Sequence, residues 1–167
     1  AAQLNLLDSH DTARFLTTAR GDTSALRLAT LLQMTYPGAP SIYYGDEIGL
    51  PGTNFDPDTR RGMPWDKPET WDMAALAYHK QLIAMRHAHP ALRTGAYHRL
   101  YADDTSYAFD RSTDSEALLV AANGAAVGGH WLGTSHLAAC DPASGCAPEI
   151  AAGIRGVLEG RSTLFEH

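Results

Sequence analysis

Positive charge is scarce in this chain. Its 167 residues carry 13 Lys and Arg against 19 Asp and Glu, a net charge of −6. The basic residues are scattered, apart from Arg60-Arg61. Nucleic-acid binders neutralise phosphates with a basic face, and that class is excluded here. Long apolar runs are missing too: none approaches the ~20 residues of a membrane-spanning helix. Residues 1–20 hold no basic segment followed by an apolar one, so no signal peptide is read there. Cysteine is limited to Cys140 and Cys146. Pro142 and Gly145 between them predict a turn that could bring the thiols within bridging reach. A disulfide and a pair of reduced thiols both stay open, with the reduced pair preferred. A zinc site is disfavoured, because no second Cys or His pair sits at ligand spacing. The compartment is therefore unknown, with a cytoplasmic one favoured over secretion.

What is present suffices for a folded core. Hydrophobic residues make up 44% of the chain and charged ones 19%, which is not a disordered composition. The apolar run over residues 4–7 predicts a short strand buried on both faces, as in a parallel sheet. It closes on Asp8, Ser9, His10 and Asp11. Polar residues at the C-terminal end of such a strand sit where α/β sheets and barrels keep their ligand sites. Asp22 and its neighbours offer N-cap oxygens to a helix over 25–36, with Leu28, Leu32 and Tyr36 as its apolar stripe and Pro37-Gly38 as its stop. A second short strand follows over 41–44, and strand, helix, strand with short links is a βαβ unit. Residues 49–70 form a long loop rich in Gly, Pro and Asp, and loops of that length are usually functional or disordered.

Residues 71–89 predict a helix capped by Asp72, burying Ala75, Tyr78, Leu82 and Met85, widened by Leu76 and Ile83, and ended by Pro90. Beyond it the period changes to that of strands: 97–101, 106–110 and 117–122, with weaker candidates at 130–132, 154–158 and 162–165. The Ala/Gly-rich stretch 121–129 reads as a loop. Two domains result, 1–90 and 91–167, the second a small antiparallel β domain.

Several residues are candidates for chemistry. A His-Asp pair such as His10-Asp11 recurs by chance, and its plain alternative is helix capping with a passively packed histidine. Its place at a strand end raises the functional reading. Metal ligation by the pair would need further His and Asp ligands, which are not evident. Asp46 and Glu47 would point to opposite faces of a strand, so structural hydrogen bonding is preferred for them. Asp56 and Arg60 are either a solvated ion pair of little worth or a clamp on sugar hydroxyls, in which a carboxylate accepts and a guanidinium donates. Trp65 and Tyr44 could stack on sugar faces or fill the core. His79, His87 and His89 read as surface or satisfied histidines.

In order along the chain, Leu6-Leu7-Asp8-Ser9-His10-Asp11-Thr12-Ala13-Arg14-Phe15, the run Gln33 to Gly49 with its Tyr43-Tyr44-Gly45-Asp46-Glu47, and Asp56-Pro57-Asp58-Thr59-Arg60-Arg61-Gly62-Met63-Pro64-Trp65-Asp66 resemble an α-amylase-family glycoside hydrolase. The resemblance is to the branch of neopullulanases, cyclomaltodextrinases and maltogenic amylases. It continues through His89-Pro90-Ala91-Leu92-Arg93 and Leu100-Tyr101-Ala102-Asp103-Asp104, then thins beyond Ala122.

The fold this implies is α/β plus all-β: the last two βα units of a (β/α)8 TIM barrel, followed by a small antiparallel β-sandwich, domain C. The activity it implies is retaining hydrolysis of α-1,4-glucosidic bonds in maltooligosaccharides, cyclodextrins, pullulan or starch. An α-glucan glycosyltransferase, a trehalose-forming enzyme and a non-catalytic β-rich module are the alternatives. Asp11 matches the transition-state stabiliser, which bonds the 2-OH and 3-OH of the sugar at the cleavage point. His10, Asp56 and Arg60 match substrate-binding residues. Thr59 and Gly62 depart from common family residues at their positions. The family's nucleophile and acid/base belong to sequence upstream of Ala1. The chain by itself is therefore expected to be inactive and to need the upstream part of its own barrel. The expected partner is an α-glucan oligosaccharide, with no nucleic acid and no membrane. No metal site and no cofactor are expected in this segment; calcium elsewhere in the parent is left open.

Overall fold

Asn5 and Pro40 lie side by side in a short parallel ladder that joins the two apolar runs. The computed structural model describes residues 3–54, 57–127 and 130–140. The chain divides into two compact units, Ala1–Met85 and Arg86–His167.

In the first unit the strands are shorter than the apolar runs suggest. They are β1 (Leu4–Asn5) and β2 (Ala39–Pro40). The second begins two residues ahead of the expected 41–44 and ends sooner, although the Ser41 N–H still donates to the Asn5 carbonyl at 2.8 Å. Burial on both faces is not observed at the first run: Leu4 is 67% exposed and Leu6 51%. A two-stranded ladder has no third strand to cover those side chains among the described residues. The ambiguous stretch after Asp11 holds a single helical turn, α1 (Phe15–Thr18).

The long helix α2 (Thr23–Thr35) starts where Asp22 accepts from the Ser24 and Ala25 N–H groups, a cap typically worth ~1 kcal/mol. Its buried face differs from the expected stripe. Leu28, Leu32 and Tyr36 are only half-buried, whereas Leu26, Thr30, Leu31, Gln33, Met34 and Thr35 are buried. Three of those six are polar, so an apolar count misplaces the face. Each has a local acceptor: Thr30 and Thr35 hydroxyls donate to the carbonyls of Leu26 and Leu31, both at 2.8 Å. The Gln33 amide donates to the carbonyls of Asn5 and Ser41 at 3.1 and 2.9 Å. That side chain ties the helix to both strand ends.

Helix α3 (Met73–Ala88) follows the sequence closely. Asp72 accepts from Ala74 and Ala75 N–H groups at 2.9 Å each. Ala75, Tyr78, Leu82 and Met85 are buried, joined by His79. His79 is satisfied: its ring nitrogens lie 2.9 Å from the Ala75 carbonyl and 3.4 Å from the Thr30 hydroxyl. A short helix, α4 (Pro90–Thr94), opens on Pro90, which cannot continue the preceding helix.

In the second unit, β3 (Ala96–Ala102), β4 (Ser106–Ser112), β5 (Ala117–Val127) and β6 (His130–Cys140) form one antiparallel sheet in that order. Leu118, Leu119, Val120 and Phe109 are fully buried. Buried Arg111 donates to the carbonyls of Leu92 and Gly95, each at 3.0 Å, and so fastens the end of α4 to β4. Residues 121–127 continue a strand where a loop was expected. Their pairing with both neighbours accounts for it: β5 lies centrally between β4 and β6. The candidate strands at 154–158 and 162–165 and the Cys140–Cys146 pairing fall outside the described residues. The described residues hold one layer of sheet, and the second layer of a sandwich is not among them.

Candidate functional site

The turn after β1 presents His10 and Asp11. Ser9 and Thr12 build it: the Ser9 N–H donates to the Thr12 hydroxyl at 3.0 Å, and the Asp11 N–H to the Ser9 hydroxyl at 3.2 Å. Short polar side chains bonding the local backbone are the usual way such turns are fixed. The turn leaves the His10 and Asp11 side chains about half to two-thirds exposed, at 54% and 66%.

Asp11 is held from two sides. Arg60 Nη2 donates to Asp11 Oδ1 at 2.7 Å. His10 Nε2 lies 3.2 Å from Asp11 Oδ2. Arg60 arrives from the long loop, at the end of a 3-10 turn over Asp58–Arg60. An exposed ion pair of this kind contributes ~0–1 kcal/mol. Its weight is therefore geometric, fixing which way the carboxylate faces. Asp56, the other member of the expected Asp56–Arg60 clamp, lies outside the described residues; Arg60 itself reaches Asp11.

Beneath this cluster is a second, buried layer that the sequence reading missed. Arg14 is 0% exposed. Its guanidinium stacks on the Tyr43 ring at 4.1 Å and lies 4.9 Å from that of Tyr44. Arg14 Nη1 donates to the Tyr44 carbonyl at 2.5 Å and to Asp46 Oδ1 at 3.4 Å. Arg14 Nη2 donates to the Thr59 carbonyl at 3.4 Å. An arginine inside an otherwise apolar Ala13–Leu16 stretch was the available signal.

Asp8 and Asp46 are both 4% exposed. Asp8 Oδ2 accepts from the Phe15 N–H at 2.6 Å. Asp8 Oδ1 and Asp46 Oδ2 are buried without a hydrogen-bond partner. Burial, then the negative charge of Asp8, pushes Asp46 up to about 8, against the opposing charge of Arg14. Its contact with Arg14, long at 3.4 Å, thus lies in a site whose burial disfavours the charged carboxylate. Glu47 accepts from the Gly45 N–H at 2.8 Å and closes its own turn. Gly45 itself has φ +96°, and a Cβ there would stand 2.8 Å from Leu50.

Of the aromatic candidates, Trp65 is 73% exposed and packs edge-on to Trp71. The Tyr44 hydroxyl donates to the Arg61 carbonyl at 2.7 Å. The geometry suits polyol recognition: a half-exposed carboxylate accepts from paired hydroxyls, with cationic and imidazole donors beside it.

The first unit has known counterparts. Residues 1–80 match the family described as alpha amylase, catalytic domain. Over 121 residues the chain is 48% identical to a cyclomaltodextrinase from a Bacillus species, covering 71% of this chain and 21% of that protein. It is 46% identical to neopullulanase 2 of Thermoactinomyces vulgaris over 121 residues, 71% of this chain and 20% of that one. Among solved structures, the native debranching enzyme of Nostoc punctiforme matches at TM-score 0.67 and 53% identity, over 73% of this chain and 24% of the other. The chain spans about a fifth of the length of the curated relatives it matches.

Proposed function

We propose, on the premise that this chain belongs to the α-amylase family through residues 1–80, that it supplies the sugar-fixing corner of a retaining α-glucan hydrolase. In this reading β1 and β2 are the seventh and eighth strands of a TIM barrel, α2 and α3 the helices after them, and the second unit is domain C. The observation that carries the proposal is the hold on Asp11, with Arg60 at 2.7 Å from one oxygen and His10 at 3.2 Å from the other.

Asp11 accepts from two adjacent hydroxyls of the sugar whose bond is cleaved. As that ring flattens toward an oxocarbenium ion, its hydroxyls become more acidic and the bonds to a carboxylate strengthen. Interactions that strengthen in this way lower the barrier rather than merely tightening binding. His10 donates to the same sugar, while Arg60 fixes the carboxylate's direction and, with Asp56, holds the neighbouring sugar. These roles draw on hydrogen bonding and charge and need no cofactor. The nucleophile and acid/base of the retaining mechanism are supplied by upstream sequence, so the 167-residue chain alone turns over nothing.

The test uses the full-length protein carrying these residues. Asp11→Asn is expected to abolish most release of reducing sugar from maltooligosaccharide and cyclodextrin while leaving the fold intact by circular dichroism. A near-wild-type rate removes Asp11 from the mechanism. Release of reducing sugar by the purified 167-residue chain overturns the division of labour.

A further inference from the structure

Arg60 sits on a loop, yet it reaches Asp11 across 49 positions of sequence. Something must hold that loop in place, because an exposed ion pair is too weak to order it alone. The residue before Arg60 supplies the grip. Thr59 is only 2% exposed. Its carbonyl accepts from Arg14 Nη2 at 3.4 Å and from the Tyr43 hydroxyl at 3.0 Å. Its hydroxyl donates to the His10 carbonyl at 3.0 Å. Thr59 thus links the backbone of one half of the cluster to the buried arginine beneath the other.

We infer that Arg14 is a positioning residue for the sugar-fixing cluster: seated on the Asp46 carboxyl and the Tyr43 ring, it holds the Thr59 carbonyl and thereby places Arg60 against Asp11. The inference rests on reading Asp11 and Arg60 as sugar-fixing groups, but its structural part can be tested separately.

Four segments meet at this side chain. Its own backbone N–H donates to the Gly52 carbonyl at 2.8 Å. The guanidinium then touches Tyr44, Asp46 and Thr59. Gly52 is needed for the approach, since a Cβ there would stand 2.9 Å from Arg14 Cγ and 3.2 Å from the Asp58 carbonyl oxygen. Burying a guanidinium is costly unless charge and hydrogen bonds compensate it. Here the Tyr44 and Thr59 carbonyls, the Asp46 carboxyl and the Tyr43 ring compensate it. The planar fork matters as well as the charge: two nitrogens serve three acceptors, and a lysine ammonium cannot reproduce that arrangement.

The experiment compares the full-length protein with Arg14→Lys, Thr59→Val, Asp46→Asn and Asp46→Ala by crystallography, and titrates each folded protein with maltotriose by calorimetry. Arg14→Lys is expected to move Arg60 out of hydrogen-bond reach of Asp11 and to weaken maltotriose binding by at least ~10-fold, the scale of one charge-assisted hydrogen bond, whereas Thr59→Val keeps the carbonyl that Arg14 holds and is expected to leave Arg60 in place. Asp46→Asn keeps an oxygen acceptor for Arg14 Nη1, so it is expected to leave Arg60 in place where Asp46→Ala displaces it. A role confined to stability would lower the Tm of these variants without moving Arg60 or changing the Kd of the folded fraction. Should Arg14→Lys fail to fold, Asp46→Ala decides, because it removes an acceptor that seats Arg14 while leaving the Thr59 carbonyl and hydroxyl untouched. Arg60 still against Asp11 in Arg14→Lys, or in Asp46→Ala, with unchanged maltotriose affinity, overturns the inference. A wild-type protein that binds no maltotriose, with Arg60 nevertheless displaced in the variants, sinks the sugar reading and leaves the positioning role standing.

Discussion

Arg60 Nη2 and Asp11 Oδ1 meet at 2.7 Å, a contact between the long loop and the turn after β1. The pair leaves Asp11 more than half exposed, at 66%, so the carboxylate is oriented without being removed from solvent.

Replacing that carboxylate should show its role in the rate. In the full-length protein, Asp11→Asn is expected to lower kcat by at least ~10²-fold, the scale of one transition-state hydrogen-bonding group. Arg60→Ala should act more on KM than on kcat if Arg60 binds the neighbouring sugar as proposed. Steady-state kinetics on a maltooligosaccharide separates the two.

The Asp46 carboxyl should leave a mark on stability against pH. Its folded value is raised from 3.8 to about 8, with Asp8 raising it and Arg14 lowering it. Between those values the folded state keeps a proton that the unfolded chain releases. The unfolded state therefore binds fewer protons, and stability falls as pH rises through about 4 to 8. Below that window the contribution is fully present, and above it the loss is complete. Asp58 and Asp103 are both held below 3.8, so they act only at lower pH. The thermal midpoint is expected to fall from pH 4 to 8 and to do so less steeply in Asp46→Asn. Equal slopes would place the proton elsewhere.

Gly52 should resist substitution although its side of the loop is not strained. A methyl group at Gly52 would stand 2.9 Å from Arg14 Cγ. Overpacking a buried site costs ~1–3 kcal/mol. Gly52→Ala is expected to lower the Tm, whereas Gly62→Ala, with nothing within 4 Å of its Cβ, should not. Scanning calorimetry on the two variants makes the comparison.

The cap of α2 offers a local test. Asp22→Ala removes the acceptor for the Ser24 and Ala25 N–H groups and is expected to cost ~1 kcal/mol. Asp22→Asn should recover most of that loss, which denaturant titration can resolve.

Local chemistry was legible in the sequence. Asp22 and Asp72 as caps, the Ala75–Tyr78–Leu82–Met85 stripe, and Pro90 as a stop follow from short-range rules that need no partner. The buried face of α2 was not legible, because Thr30, Gln33 and Thr35 count as polar until their acceptors are known. The same limit hid Arg14. Buried arginines are rare unless paired, and its partners, Tyr44, Asp46 and Thr59, lie 30, 32 and 45 positions away. Strand length was over-read at both apolar runs, because an apolar tetrad marks burial potential rather than ladder length.

Pro40 gives the small parallel ladder a direction. Ala39 and Ser41 turn their N–H groups toward β1, to the carbonyls of Gln3 and Asn5. The nitrogen between them faces the other way and, belonging to proline, has no hydrogen to give. A strand approaching the free side of β2 therefore meets a gap in the donor row. The free side of β1, where Leu4 and Leu6 are exposed, has no such gap. In the proposed barrel, the strand beside β2 would therefore pair around position 40, whereas the strand beside β1 would meet no proline.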